Sequence, residues 1–149
     1  PELLKRYNII HLCGKGNLDE TLKDTDGYAQ FEYANKELAD MFALASLVIS
    51  RAGANAICEL LALRKPNILI PLSKAASRGD QILNAQSFEK SGYSYVIQEE
   101  ELNTDSLFAG INEVYNNKEK YIQAMESSNL TDSTGIIINM IEDLVNGHD

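Results

Sequence analysis

Short apolar runs alternate along the chain with longer segments in which apolar residues recur every three or four positions. Five runs have the length and apolar content of β-strands: residues 7–12, 28–33, 47–50, 67–72 and 93–98. Helical spacing predicts helices that begin near residue 36 and span residues 54–63, 80–91, 104–116, 118–126 and 135–146. This alternation predicts an α/β fold, a Rossmann-like parallel sheet with helices on both faces.

The predicted strand ends locate the candidate site. In parallel α/β sheets, ligands bind at the carboxyl ends of the strands. Three predicted loops leave those ends: residues 13–17, 51–54 and 73–80. Polar residues that precede or open helices are predicted as N-caps: Asn35, Asp80 and Thr104.

Composition narrows the class of ligand. The formal net charge of −9 disfavours a nucleic-acid surface and an electrostatic membrane anchor, since both need clustered Lys and Arg. No apolar run approaches the roughly 20 residues that span a bilayer. Cys13 and Cys58 are far apart and have no metal-ligand spacing with His11 or His148, so no metal site is expected. A helix N-terminus can still bind a phosphorylated small molecule.

Three features, in the strand-end loops or on the helices that follow them, each have a functional and a purely structural interpretation. The turn at Gly53 either admits a diphosphate, with glycine allowing unusual dihedral angles, or is a plain strand-to-helix turn. Glu59 either holds a ribose diol or is a solvated helix acid. Gln81 and Asn84 share one helix face and either bind sugar hydroxyls or are exposed polar residues.

Together, the segment SRAGANAICELLALRKPNILIPL and the later DQILNA resemble the donor-binding half of the bacterial MurG family. Members of that family transfer N-acetylglucosamine from UDP-N-acetylglucosamine in peptidoglycan synthesis. The resemblance extends from His11 to about Glu101, and two motifs carry it. Gly53, Ala54 and Glu59 match the first motif, and Gln81, Asn84 and Ala85 match the second.

The resemblance implies a role for each matched position. Glu59 would bind the uridine ribose, while the backbone N–H groups of Ala54 and Asn55, beside Gly53, would meet the diphosphate or sugar. Gln81 and Asp80 would bind the hydroxyls of N-acetylglucosamine, and Asn84 would support their loop. The backbone of Tyr33 and Ala34 would face uracil, and the segment Gly14-Lys15-Gly16 would line the cleft.

The resemblance also implies what the chain lacks. Asp80 stands where many relatives carry a second Gln, and the family's glycine-rich phosphate loop would precede Pro1. Residues 1–149 are therefore expected to be one donor-binding domain of a two-domain GT-B transferase, without the acceptor domain, the general base or any catalytic residue. UDP-N-acetylglucosamine would be a substrate and no cofactor is implied. The intact enzyme would work at the inner face of the cell membrane on a lipid-linked muramyl-pentapeptide, and this fragment alone would be inactive.

Several alternatives stay open at this point. The chain could belong to another GT-B UDP-sugar transferase or to a UDP-N-acetylglucosamine epimerase, which would share the ribose acid but differ in sugar contacts. It could be the donor-binding subunit of a split transferase that docks on a membrane-bound acceptor protein. It could also be an interaction domain that binds no nucleotide.

Overall fold

The computed structural model describes residues 2–128. These residues divide after Leu44 into two compact units, called the first and the second unit below. The described strands are β1 (Ile9–Leu12), β2 (Tyr28–Phe31), β3 (Val48–Ser50), β4 (Asn67–Leu69) and β5 (Tyr95–Val96). The described α-helices are α1 (Glu37–Leu44), α2 (Ala54–Ala62), α3 (Lys74–Ser77), α4 (Asp80–Lys90), α5 (Thr104–Asn116) and α6 (Lys118–Glu126). Short 3₁₀ helices span Leu3–Lys5, Glu20–Leu22 and Glu99–Glu101.

The first unit contains a two-stranded parallel sheet. β1 pairs with β2 in a register that runs from Ile9 opposite Tyr28 to Leu12 opposite Phe31. Backbone hydrogen bonds continue past both strands, because Cys13 N donates to Phe31 O at 2.9 Å and Gly14 N donates to Glu32 O at 3.0 Å. The loops that follow β1 and β2 are therefore held side by side.

The second unit contains a three-stranded parallel sheet in the order β3-β4-β5. The middle strand, β4, is buried at all three of its positions, as expected for a parallel strand covered on both faces. Helices α2, α4, α5 and α6 supply most of the rest of the core. The buried hydrophobic residues are Ala52, Ile57, Leu60, Leu61, Ile68, Leu69, Ile70, Ala85, Phe88, Ile97, Ile111, Val114, Tyr121 and Met125.

Every strand pairing in these residues is parallel, so the predicted α/β class with parallel sheets is confirmed. Helices α5 and α6 occur at their predicted residues. The strands are shorter than predicted, and the helix predicted over residues 135–146 lies outside the described residues. No helix within residues 2–128 is both long and apolar enough to cross a membrane.

Three local predictions are wrong. The polar loop predicted over residues 73–80 contains the short helix α3. Asp80 is the first residue of α4 and Gly79 occupies the cap position. Thr104 is likewise the first residue of α5, because Asn103 is the N-cap and accepts a hydrogen bond from Ser106 N. In both helices, the cap lies one residue earlier than the sequence pattern indicated.

Candidate functional site

The carboxyl ends of β3, β4 and β5 lie side by side, because the three strands are parallel and adjacent. After β3, the turn at residues 51–53 leads directly into α2, with Gly53 as its N-cap. Gly53 has φ −66° and ψ 148°, which any residue can adopt, so the expectation that this turn needs unusual dihedral angles is wrong. A Cβ atom at this position would lie 3.8 Å from Gln81 Nε2, an ordinary van der Waals distance, so Gly53 lies next to the Gln81 amide.

Two amide side chains of α4 join the loops that follow β3 and β4. Asn84 Nδ2 donates to Ala52 O at 3.1 Å, which attaches α4 to the turn before α2. Gln81 Oε1 accepts a hydrogen bond from Leu72 N at 2.9 Å. Because the oxygen of Gln81 is used in this way, its amide nitrogen is the end that lies beside Gly53. The structure therefore brings Gly53, Gln81 and Asn84 close together.

Helix α2 carries Glu59 on its exposed side. Ile57, Leu60 and Leu61 are its buried residues, and they occupy the opposite side of the helix from Glu59. Asn55 is four residues before Glu59, so the two exposed side chains share one face. Glu59 thus projects from α2, whose N-cap is Gly53, about one and a half turns beyond its first residue.

The first turn of α2 is the feature suited to an anion. Ile57 N donates to Gly53 O at 3.1 Å, and the N–H groups of residues 54–56 point out of the helix end. Such an end favours a negative charge by about 0.3–1 kcal/mol when exposed, and up to about 2 kcal/mol when partly buried. Ala54 is half-buried and Asn55 is exposed at this end. Asp80 is exposed in the first turn of α4.

The remaining predicted residues form a group within the first unit. Gly14 and Gly16 have φ values of +86° and +77°, and Gly16 N donates to Glu32 Oε1 at 2.9 Å. This bond holds the segment that contains Lys15 against the end of β2. Tyr33 and Ala34 follow Glu32 directly, and Tyr33 is 66% exposed.

Sequence reasoning missed two charged residues of the second unit. Arg51 and Glu99 form an ion pair of 3.0 Å between Arg51 Nη2 and Glu99 Oε1. Arg51 follows β3, and Glu99 opens the 3₁₀ helix after β5. The usable signal was that opposite charges follow two strands of the same predicted sheet.

Within residues 2–128, no three His, Cys, Asp or Glu side chains cluster closely enough to hold a metal ion. Neither Cys13 nor Cys58 takes part in a disulfide. Burial raises the pKa of the Cys58 thiol, which disfavours the reactive thiolate. The polar groups at the strand ends of the second unit include amide side chains, backbone N–H groups, a carboxylate and the guanidinium of Arg51.

Comparison with known proteins agrees with this geometry. A protein from Lachnoclostridium phytofermentans is 60% identical over 144 residues, which cover 97% of this chain and 41% of that protein. One from Clostridium perfringens is 63% identical over 141 residues, which cover 95% of this chain and 40% of that protein. Both are described as UDP-N-acetylglucosamine–N-acetylmuramyl-(pentapeptide) pyrophosphoryl-undecaprenol N-acetylglucosamine transferases. The chain thus spans about 40% of the length of the curated relatives it matches.

Comparison with solved structures leads to the same family of transferases. The crystal structure of Acinetobacter baumannii MurG aligns with a TM-score of 0.69 at 19% identity, and covers 91% of this chain and 41% of that one. The resemblance to the MurG family is confirmed by these matches. A family model described as the glycosyltransferase family 28 C-terminal domain matches residues 1–140. The chain therefore belongs to the family of glycosyltransferase family 28 C-terminal domains.

Proposed function

We propose that this chain binds UDP-N-acetylglucosamine as the donor-binding part of an inverting hexosyltransferase. The acceptor would be lipid-linked N-acetylmuramyl-pentapeptide, the substrate class named for the relatives. We place the acceptor-binding residues and the general base in another part of a longer protein, which acts at the inner face of the cell membrane. The observation that carries the proposal is the direct attachment of α4 to the turn before α2 through Asn84 and Ala52.

The attachment of α4 to this turn supports the proposal because it brings two kinds of binding group, backbone N–H groups and a side-chain amide, next to each other. The N–H groups at the start of α2 suit a diphosphate. The amide nitrogen of Gln81, next to Gly53, suits a hydroxyl or acetamido oxygen of the attached sugar. Glu59 would accept hydrogen bonds from the ribose hydroxyls, as acidic residues do in dinucleotide folds. Following the resemblance, the backbone of Tyr33 and Ala34 is proposed to face uracil, and Gly14, Lys15 and Gly16 are proposed to line the donor cleft. Asp80 is proposed to bind the sugar hydroxyls together with Gln81.

The chemistry that follows is a single displacement. The acceptor oxygen forms a bond to the anomeric carbon, its proton passes to the general base, and the bond to the diphosphate oxygen breaks with inversion. Negative charge grows on the departing UDP. The N–H groups and dipole at the start of α2 stabilise that charge, because they are already oriented before the reaction. Both reactants must be held together for this step, so the isolated chain is expected to bind the donor without turning it over.

Calorimetry of the chain with UDP, UDP-N-acetylglucosamine and UDP-glucose tests the proposal. Glu59→Ala should weaken all three ligands by roughly ten- to a hundredfold, which corresponds to the about 1.5–3 kcal/mol of a hydrogen bond to a charged group. Glu119→Ala, which removes an exposed acid from α6, is the matched control and should change nothing. Unaltered UDP affinity in Glu59→Ala would refute the ribose role. Wild-type affinity for UDP-glucose equal to that for UDP-N-acetylglucosamine would refute the sugar assignment.

A further inference from the structure

A chain of side-chain contacts links all three strand ends of the second unit. Arg51 Nη1 donates to Ile70 O at 3.2 Å, just after β4. Arg51 Nη2 pairs with Glu99 Oε1 at 3.0 Å. The other carboxylate oxygen of Glu99 accepts from Ser73 N at 3.1 Å. The segment from Ile70 to Ser73 is therefore held at both of its ends by one ion pair.

The residue that anchors Gln81 lies inside that segment. Leu72 N donates to Gln81 Oε1 at 2.9 Å, so Leu72 sets which way the Gln81 amide is turned. Holding the oxygen at Leu72 leaves the Nε2 group beside Gly53. Because Ile70 and Ser73 flank Leu72 on either side, Arg51 and Glu99 fix the position of its N–H group.

Electrostatic attraction is not the main way in which the Arg51–Glu99 ion pair holds the strand-end loops. The side chains of Arg51 and Glu99 are 48% and 35% exposed, and solvent screens ion pairs of that exposure. Geometry is more important: a carboxylate that accepts one hydrogen bond on each oxygen joins two groups at fixed separation. Here those two groups belong to different strand-end loops.

We infer that Glu99 is a positioning residue, which acts through Ser73 and Arg51 to hold the Gln81 amide in the orientation that binds the sugar of the donor. This inference rests on the proposed function for the identity of the ligand. Glu99 itself need not touch the donor. Its effect should therefore appear with sugar-bearing ligands and depend on Gln81.

A double-mutant cycle read by calorimetry tests that dependence. Glu99→Ala should weaken UDP-N-acetylglucosamine about three- to tenfold, as expected for lost hydrogen-bond positioning, and should leave UDP within twofold. In the Gln81→Ala background, Glu99→Ala should have no further effect. Glu99→Gln, which keeps one carbonyl acceptor, should fall between wild type and Glu99→Ala. Glu100→Ala removes an exposed neighbouring acid and should behave as wild type.

Two calorimetric results would overturn the inference. One is an equal loss of affinity for UDP and for the sugar nucleotide in Glu99→Ala, and the other is a Glu99→Ala effect of undiminished size in the Gln81→Ala background. An NMR measurement on the ligand-free chain tests whether Glu99 positions Gln81 without any donor present. Glu99→Ala should accelerate amide hydrogen exchange at Leu72 and shift the side-chain amide signals of Gln81, while Glu100→Ala should do neither. Unchanged Leu72 and Gln81 signals in Glu99→Ala would refute positioning. Failure of the wild type to bind any UDP ligand would refute the proposed function instead.

Discussion

At the scale of single residues, two glycines of the second unit tolerate a methyl group very differently. A Cβ atom at Gly110, which is buried in α5, would lie 2.9 Å from Tyr95 Cε1 and 3.3 Å from Ile97 Cδ1. At Gly53 the nearest such atom is 3.8 Å away, and the backbone already has φ −66°. Packing therefore requires glycine at position 110 and not at position 53.

We predict that Gly110→Ala destabilises the protein. Overpacking costs about 1–3 kcal/mol, and the gain in helix propensity from replacing glycine returns no more than about 1 kcal/mol. The net loss in the free energy of unfolding should therefore be about 1 kcal/mol, measured by urea denaturation. Gly53→Ala is the control for packing, because its Cβ would meet no close contact; any loss there should reflect only the weaker N-cap preference of alanine. A Gly110→Ala variant as stable as wild type would contradict the packing argument.

Sequence spacing predicted the helix face that Gln81 and Asn84 share, but not the contacts that they make. Gln81 and Asn84 were placed on one helix face by their spacing, and the structure gives both a partner in a strand-end loop. The ion pair of Arg51 and Glu99 could not be found in this way, because its members are distant in sequence and meet only through the parallel sheet. Local spacing predicts faces of helices, whereas contacts between loops depend on the strand order.

At the scale of elements, the boundaries of strands and helices depend on hydrogen bonds that composition does not specify. The run NILIPL predicted a strand over residues 67–72, but β4 ends at Leu69. Ile70 N still donates to Ser50 O, while Pro71 has no N–H group to continue the ladder. The helix starts were displaced for a related reason, since a capping residue lies outside the helix and several polar neighbours compete for that position.

Helix α5 provides a test of one such cap. Asn103 Oδ1 accepts from Ser106 N at 2.9 Å, and Ser106 Oγ accepts from Asn103 N at 2.9 Å, so the two residues satisfy each other's backbone donors. Asn103→Ala should lower the free energy of unfolding by about 1 kcal/mol, measured by urea denaturation. Thr104→Ala, one residue later, should have a clearly smaller effect. A larger loss in Thr104→Ala would restore the original prediction that Thr104 is the cap.

At the scale of the whole molecule, stability under alkaline conditions depends on a tyrosine of the core. Tyr121 in α6 is 5% exposed, and its hydroxyl donates to Glu113 Oε1 at 3.4 Å. Burial, followed by the charge of Glu113, raises the pKa of Tyr121 from 10.0 to about 12. Both causes disfavour the phenolate in the folded state, whereas the unfolded chain exposes the side chain to water.

We predict that this raised pKa makes unfolding easier between pH 10 and pH 12. In that interval the unfolded chain has released the Tyr121 proton and the folded protein still holds it, so the free energy of unfolding falls as pH rises. The slope from this group is about 1.4 kcal/mol per pH unit, and its stabilisation is fully present below pH 10. Tyr121→Phe has no such proton, so its free energy of unfolding, measured by urea denaturation at several pH values, should decline less steeply with pH than that of wild type.

Lysines and other tyrosines titrate in both proteins. The decisive quantity is therefore the difference between the two curves of unfolding free energy against pH. Parallel curves from pH 9 to pH 12 would show that Tyr121 ionises equally in the folded and unfolded states.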